Sequence, residues 1–195
     1  AIRDEAGVAR LHMLDCAALL PCADFSQAHT LLDVGTGAGF PGLPLKILLP
    51  QLDVTLLDSL NKRVDWLNEV SAQLGLTDVR AIQGRAEEKA LEKSMRDSFD
   101  LVTARAVADL RLLSELCLPF VKVGGRFLSM KSVDSDQELD QAAHAIKLLG
   151  GRVRDVKDYA IPGTEVTHRL VIVEKVAPTL KGYPRRWAKI QKAPL

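Results

Sequence analysis

Two spacings of apolar residues take turns along this chain. Short apolar or β-branched runs read as strands: Thr30 to Val34, Val54 to Asp58, Val79 to Gln83, Phe99 to Thr103 and Arg126 to Met130, the last after Gly124-Gly125. Between them, apolar residues recur three or four positions apart, as helices require. Val64, Leu67, Val70 and Leu74 form one stripe, stopped by Gly75. Leu110, Leu113, Leu116 and Cys117 form another, ending at Pro119. Leu139, Ala142, Ala143, Ile146 and Leu149 form a third, closed by Gly150-Gly151. Residues 4–20 also read as helical, whereas two β-like runs near 152–160 and 169–175 have no helix between them. Five strand–helix units and a terminal hairpin predict an α/β fold. Its sheet is doubly wound and mostly parallel, with the last strand antiparallel.

Composition narrows the class. A chain of 195 residues, 47% hydrophobic, suits one domain with a sizeable core. No apolar run approaches the ~18 residues of a membrane span, and no signal-peptide pattern opens the chain. Cys16, Cys22 and Cys117 are odd in number and lack metal or redox spacing, which points to buried thiols in a reduced, cytoplasmic protein. The four histidines show no metal-ligand spacing, so no metal site is expected.

The most informative chemistry lies at residues 31–42, Leu-Leu-Asp-Val-Gly-Thr-Gly-Ala-Gly-Phe-Pro-Gly. A strand ends abruptly in glycines, and a helix begins near Pro41, where the missing N–H is no loss. Gly35, Gly37 and Gly39 allow positive φ and close ligand approach, and the amides at the helix start are expected to face an anionic group. No Gly-Lys-Ser/Thr follows, which excludes a P-loop. Gly37-Ala-Gly39-Phe-Pro-Gly42 fits the dinucleotide spacing but starts two residues past the strand end, so a nicotinamide-dependent oxidoreductase stands as an alternative. Asp33-x-Gly-x-Gly-x-Gly instead resembles the S-adenosylmethionine loop of class I methyltransferases.

Other strand ends add polar groups to the same crevice. Asp58 follows Gly35 by 23 positions, near the offset of a ribose-binding acid, although it also suits the cap of the next helix. After the third strand, Ala86 offers an amide to an adenine edge and Glu87 an acceptor for its exocyclic amine; acids opening a helix are the plainer reading. After the fourth, Arg105 is expected to pair with Asp33 or Glu87, or to lean over cofactor and substrate. Amine methyltransferases carry an Asn/Asp-Pro-Pro-Tyr/Phe motif there, and this chain has Thr-Ala-Arg-Ala. Cys117 sits on a helix face and reads as core rather than as a nucleophile. A purine N7, with an in-plane lone pair and no proton to lose, needs neither device.

Charge is unevenly distributed. Residues 176–195 hold five of the 26 basic residues and no acid, which suggests contact with a phosphate backbone. Tyr183 and Trp187 among them suit base stacking; a merely solubilising tail is equally compatible. A non-catalytic RNA-binding module is therefore a further alternative.

With these pieces in place, the chain resembles the bacterial 16S rRNA guanine-N7 methyltransferases, the glucose-inhibited division protein B family. The resemblance rests on Asp33-Val-Gly-Thr-Gly-Ala-Gly-Phe-Pro-Gly42 and on Leu56-Leu-Asp-Ser-Leu-Asn-Lys-Arg-Val64. Arg85-Ala-Glu-Glu88, Arg105-Ala106, His168-Arg-Leu-Val171 and the basic C-terminal stretch also fit. It implies a Rossmann-like class I methyltransferase fold and S-adenosylmethionine held by Gly35, Phe40, Ala86, Glu87 and Arg105, with Arg105 also positioning the reaction. Gly37 and Asp58 join from the loop and ribose arguments. Lys62, Arg63, Lys131, Arg169, Arg185 and Arg186 are candidates for RNA contact. The implied substrate is one guanine in a small-subunit rRNA loop near the decoding centre, free or in the subunit, and the implied state is a monomer without membrane contact. The domain plan is a helical segment 1–28, a methyltransferase domain 29–176 and a basic tail 177–195. The family begins with further helices, so a chain starting at Ala1 is expected to be a trimmed form. Its His12-Met-Leu-Asp15-Cys16 has cysteine where the family has serine, a swap expected to be tolerated.

Overall fold

The structure, a computed structural model, describes residues 4–195, so the first three residues of the expected segment 1–28 lie outside the described residues. Seven strands form one sheet: β1 (Thr30–Val34), β2 (Asp53–Asp58), β3 (Val79–Gln83), β4 (Phe99–Arg105), β5 (Val121–Ser132), β6 (Gly151–Ala160) and β7 (Thr167–Lys175). Their order is β3-β2-β1-β4-β5-β7-β6. The first five pair in parallel, whereas β7 runs antiparallel to both β5 and β6. Chain direction therefore switches sides between β1 and β4, and a crevice opens there at the carboxyl ends of the strands.

Helices cover both faces. The N-terminal helix comprises α1 (Glu5–Val8), a π-helical turn Ala9–Met13 and α2 (Leu14–Ala17). It is followed by α3 (Gly42–Leu48), α4 (Asn61–Gln73), α5 (Ala86–Lys89), α6 (Leu110–Cys117), α7 (Asp136–Leu148) and α8 (Trp187–Lys192). Strand residues alternate between two buried layers, as a pleat demands. Leu32, Val34, Phe127, Val171 and Val173 belong to one; Leu31, Leu128, Leu170 and Ile172 belong to the other. Burial on both faces is why the strands read as unbroken apolar runs.

Two expectations need adjustment. β5 begins at Val121, five residues earlier than its apolar pattern, so Gly124-Gly125 lies inside the strand. A side chain at Gly125 would lie 2.7 Å from the Asp100 carbonyl, and the β4–β5 register shifts between Phe99 and Leu101. The glycines mark an irregular, closely approached backbone rather than a strand boundary. Residues 177–195 are not a free arm. Ile190 is wholly buried in the core, and Arg96 donates to the carbonyls of Thr179 and Tyr183 at 3.0 and 2.7 Å. Lys175, fully buried at the end of β7, bonds Asp97 and Thr179 at 2.7 Å each.

The crevice depends on the β1–β4 seam, and a carboxylate fastens its far end. Asp100 accepts from the backbone amides of His29 and Thr30 at 2.9 and 2.8 Å and from the Thr30 hydroxyl at 3.0 Å, and it pairs with Lys122. Burial opposes its charge, but Lys122 and these donors hold its carboxyl down to about 2. A depressed acid stabilises the fold above its unfolded value and loses that contribution as pH falls. Asp100→Asn should therefore lose about 1–2 kcal/mol near neutral pH, and the gap should close between about pH 4 and pH 2. Urea denaturation of both proteins across that range checks this; a gap independent of pH would contradict it.

Candidate functional site

The glycine turn is built around Asp33, which is completely buried at the end of β1. Its Oδ2 accepts from the Thr36 hydroxyl at 2.6 Å and from the Gly42 amide at 3.1 Å; its Oδ1 accepts from the Thr103 hydroxyl at 2.9 Å. One carboxylate thus joins β1, the turn, the start of α3 and β4. Burial pushes this carboxyl up to about 6, against the three donors that favour the anion. The arrangement corrects one expectation. The Gly42 amide is taken by Asp33, and those of Gly39, Phe40 and Leu43 are taken by carbonyls of the turn, so the start of α3 is satisfied from within. It does not face a ligand anion.

What the turn leaves open is the space above Gly35. Gly35 has φ +67, and its amide donates to Leu57. A β-carbon there would lie 2.7 Å from Val107 Cγ2. Side chains are therefore excluded from this point by both backbone conformation and space.

A cavity of about 300 Å³ begins here and runs along the ends of β2 and β3. Gly35, Asp58, Ala86 and Glu87 line it together, so four residues expected to hold a cofactor are adjacent in space. Asp58 is almost wholly buried; its Oδ2 accepts from the Gly37 amide and its Oδ1 from the Leu60 amide, both at 3.0 Å. Asp58 thus braces the glycine turn and the approach to α4 while lining the cavity. Gly37 is its partner. Glu87 is buried and bonded to Arg85 Nε at 2.5 Å.

Phe40 and Arg105 lie elsewhere. The Arg105 guanidinium sits over the Phe40 ring, 5.2 Å from its centroid, and donates to Asp15 Oδ2 at 3.1 Å. Neither residue lines the first cavity, and Arg105 bonds neither Asp33 nor Glu87 as expected. Asp15 on the N-terminal helix wins because it is fully buried and needs a cation, whereas Glu87 already has Arg85.

The basic candidates separate into two groups. Lys62 and Arg186 are exposed, and Arg63, half exposed, pairs with Asp58 at 3.2 Å. The others hold the fold together. Lys131 donates to the Ala108 carbonyl and pairs with Glu138; Arg169 bonds Asp158 and Asp136 at 2.7 and 2.6 Å. Arg185 grips the buried Glu115 through its backbone amide and guanidinium at 2.6–3.1 Å. All three pair with acids of the chain itself, Arg185 with a buried one and Arg169 with two at the surface, pairings that their sequence spacing could not reveal.

Sequence reasoning also missed a wall of the cavity. Trp187, at the start of α8, lines it beneath Arg85, whose guanidinium lies 5.4 Å from the ring centroid. The sequence reading placed Trp187 among the basic residues as a base-stacking candidate; its proximity to Ile190, three residues on and apolar, was the available signal of packing.

Comparisons with known proteins follow from this geometry. The family model described as rRNA small subunit methyltransferase G (GidB) matches residues 1–167. A protein of Clostridium perfringens strain 13 named "Ribosomal RNA small subunit methyltransferase G" is 45% identical over all 195 residues, which span 82% of its length. One of the same name from Clostridium beijerinckii is 47% identical over the same share. Among solved structures, geranyl diphosphate methyltransferase in complex with SAM matches with a TM-score of 0.66 at 14% identity, covering 88% of each chain. At that identity it speaks for the fold. Among the described residues no helix is long and apolar enough to cross a membrane.

Proposed function

Since the chain belongs to the rRNA small subunit methyltransferase G family, we propose that it methylates N7 of one guanine in 16S rRNA, in a loop near the decoding centre, with S-adenosylmethionine as donor. The observation that carries the N7 assignment is what the end of β4 presents. Thr103 is committed to Asp33, Ala104 is buried, and Arg105 is held as a cation by Asp15. None of them is a base for removing a proton from an exocyclic amine. Cys117, two residues before Pro119, is fully buried on α6, and burial pushes its pKa well above the ordinary value. It is no nucleophile for carbon methylation.

The residues present fit the donor. The cavity over Gly35 would admit it where a β-carbon could not be accommodated, and Asp58 is placed to accept from ribose hydroxyls. Ala86 and Glu87 would meet the adenine, and Gly37 keeps Asp58 in place. Phe40 and Arg105 stand at the other end of the turn, on the side where methyl transfer would occur. The bound donor supplies a sulfonium methyl: the N7 lone pair forms the new N–C bond while sulfur keeps the electrons of the broken S–C bond, and no proton moves. Positive charge passes from sulfur to the purine, so the protein's task is alignment and a fixed electrostatic setting rather than proton transfer.

Of the six basic candidates, Lys62, Arg63 and Arg186 are the exposed ones left to meet phosphate. The enzyme is proposed to act as a cytoplasmic monomer on the rRNA or the small subunit, with residues 29–176 as its methyltransferase domain and 177–195 as part of that domain's wall. The oxidoreductase alternative loses support, because the amides that open α3, where a pyrophosphate would sit, are bonded to Asp33 and to carbonyls of the turn.

Tritium from labelled donor should appear in 7-methylguanosine after incubation with unmethylated small subunits and nucleoside analysis. Label in an exocyclic amine or a ribose would overturn the N7 assignment.

A further inference from the structure

A second cavity, of about 510 Å³, adjoins the first and shares Ala106 with it. Its walls come from parts of the chain far apart in sequence: His12 and Asp15 from the N-terminal helix, Arg105 from β4, Ser132 from β5, and Val166 and His168 from the terminal hairpin. Asp15 gathers them. Its Oδ1 accepts from the Tyr159 hydroxyl and lies the same 2.9 Å from His168 Nδ1, while its Oδ2 accepts from Arg105. Arg105 Nη2 meets His12 Nδ1 at 3.2 Å, and the rings of His12 and Phe40 lie 5.2 Å apart. Burial, and then the Arg105 charge, lowers the His12 pKa. Burial pushes the Tyr159 phenol up, so Tyr159 stays a neutral donor to Asp15.

A polar wall held rigid by one buried carboxylate is more than folding requires. A core of this size does not need a charged residue that three side chains converge on, and buried charge is costly unless fully partnered. The opening beside the methyl-donor crevice gives the wall a use. A guanine carries the acceptor O6 beside N7, and Arg105, which offers only donors, can hold O6 while the N7 lone pair stays free for the methyl group. His12 and His168, which line the cavity, offer ring faces to a base that has left its stack.

We propose that the second cavity receives the acceptor purine, swung out of its RNA loop, and that Asp15 is a positioning residue that presents Arg105 and His168 to it. The inference rests on the methyltransferase reading above and adds the place of the base and the groups that orient it. Asp15 itself touches no substrate, because both its oxygens are engaged.

Two variants of the full chain test this on unmethylated small subunits, with S-adenosylhomocysteine affinity read by calorimetry and kcat and KM read separately. Asp15→Asn keeps the shape and removes the charge. It should leave S-adenosylhomocysteine affinity within about threefold and lower kcat about tenfold to a hundredfold through misalignment. Ser132→Trp, at an exposed β5 position opposite His168, fills the mouth without touching the core. It should abolish transfer while S-adenosylhomocysteine still binds. Wild-type turnover in Ser132→Trp would place the base elsewhere, and equal losses of S-adenosylhomocysteine affinity and turnover in Asp15→Asn would make Asp15 part of the donor site or the fold. If Asp15→Asn does not fold, Ser132→Trp alone decides. Wild-type protein that transfers no methyl group would strike the parent reading instead, so the two failures are distinct.

Discussion

Arg185→Ala should destabilise the protein by about 3–5 kcal/mol, the loss that follows when one partner of a buried ion pair is removed. Glu115 is 1% exposed, and the Arg185 guanidinium supplies three of its contacts. Alanine retains only the backbone amide, which donates at 2.8 Å. The carboxylate would then stand in the core beneath α8 with no cation. Urea unfolding measures the loss. Replacing Glu115 by Leu in the same chain should return much of it, because an apolar pair tolerates burial better than a lone charge. Arg186→Ala is the control. Arg186 is exposed, so stability should change by no more than about 0.5 kcal/mol, whereas RNA binding should weaken and its salt slope should fall by about one. If the two neighbours behaved alike, the division of basic residues into internal and outward-facing groups would be wrong. For the same reason, removing residues 176–195 should unfold the protein rather than merely weaken RNA binding, since Ile190 and the Thr179 bond to Lys175 go with them.

Gly35→Val should reduce affinity for S-adenosylhomocysteine by about a hundredfold, or roughly 2.8 kcal/mol. Two terms act together. A β-branched residue at φ +67 is strained by about 1–2 kcal/mol, and its β-carbon would meet Val107 Cγ2 at 2.7 Å. Relief of that contact requires Val107 to move, and Val107 itself lines the cavity. Gly35→Ala combined with Val107→Ala separates the terms: it removes the steric clash, keeps the backbone strain and should recover part of the affinity. Calorimetry on protein shown by melting to be folded gives the answer. Wild-type affinity in Gly35→Val would mean that the donor does not sit over this turn.

Much of this was legible in the sequence because it is local. Strand and helix periods, and the glycines that stop a helix or bend a turn, depend on neighbours within a few positions, so the alternation predicted the doubly wound sheet and the antiparallel last strand. The carboxyl ends of β1, β2 and β3 meet in any such sheet, which is why Gly35, Asp58, Ala86 and Glu87 could be assembled from spacing. Arg105 was singled out as unusual, but of its expected partners neither Asp33 nor Glu87 pairs with it; Asp15 does, with Phe40 beneath its guanidinium.

Charge pairing was the illegible part. Arg105 found Asp15, 90 positions away, and Arg185 found Glu115, 70 positions away, although nearer acids were available in sequence. The partner of a charged group is set by which opposite charge loses its water on folding, and only the packed chain settles that. Sequence periodicity therefore determined the sheet and the place of the glycine turn, and the resemblance of that turn to a known motif indicated its class of ligand. Tertiary packing alone decided which arginines stay exposed, which pair with acids of the chain, and that a helix at each end of the chain closes the site, because burial is a property of the assembled layers rather than of any segment.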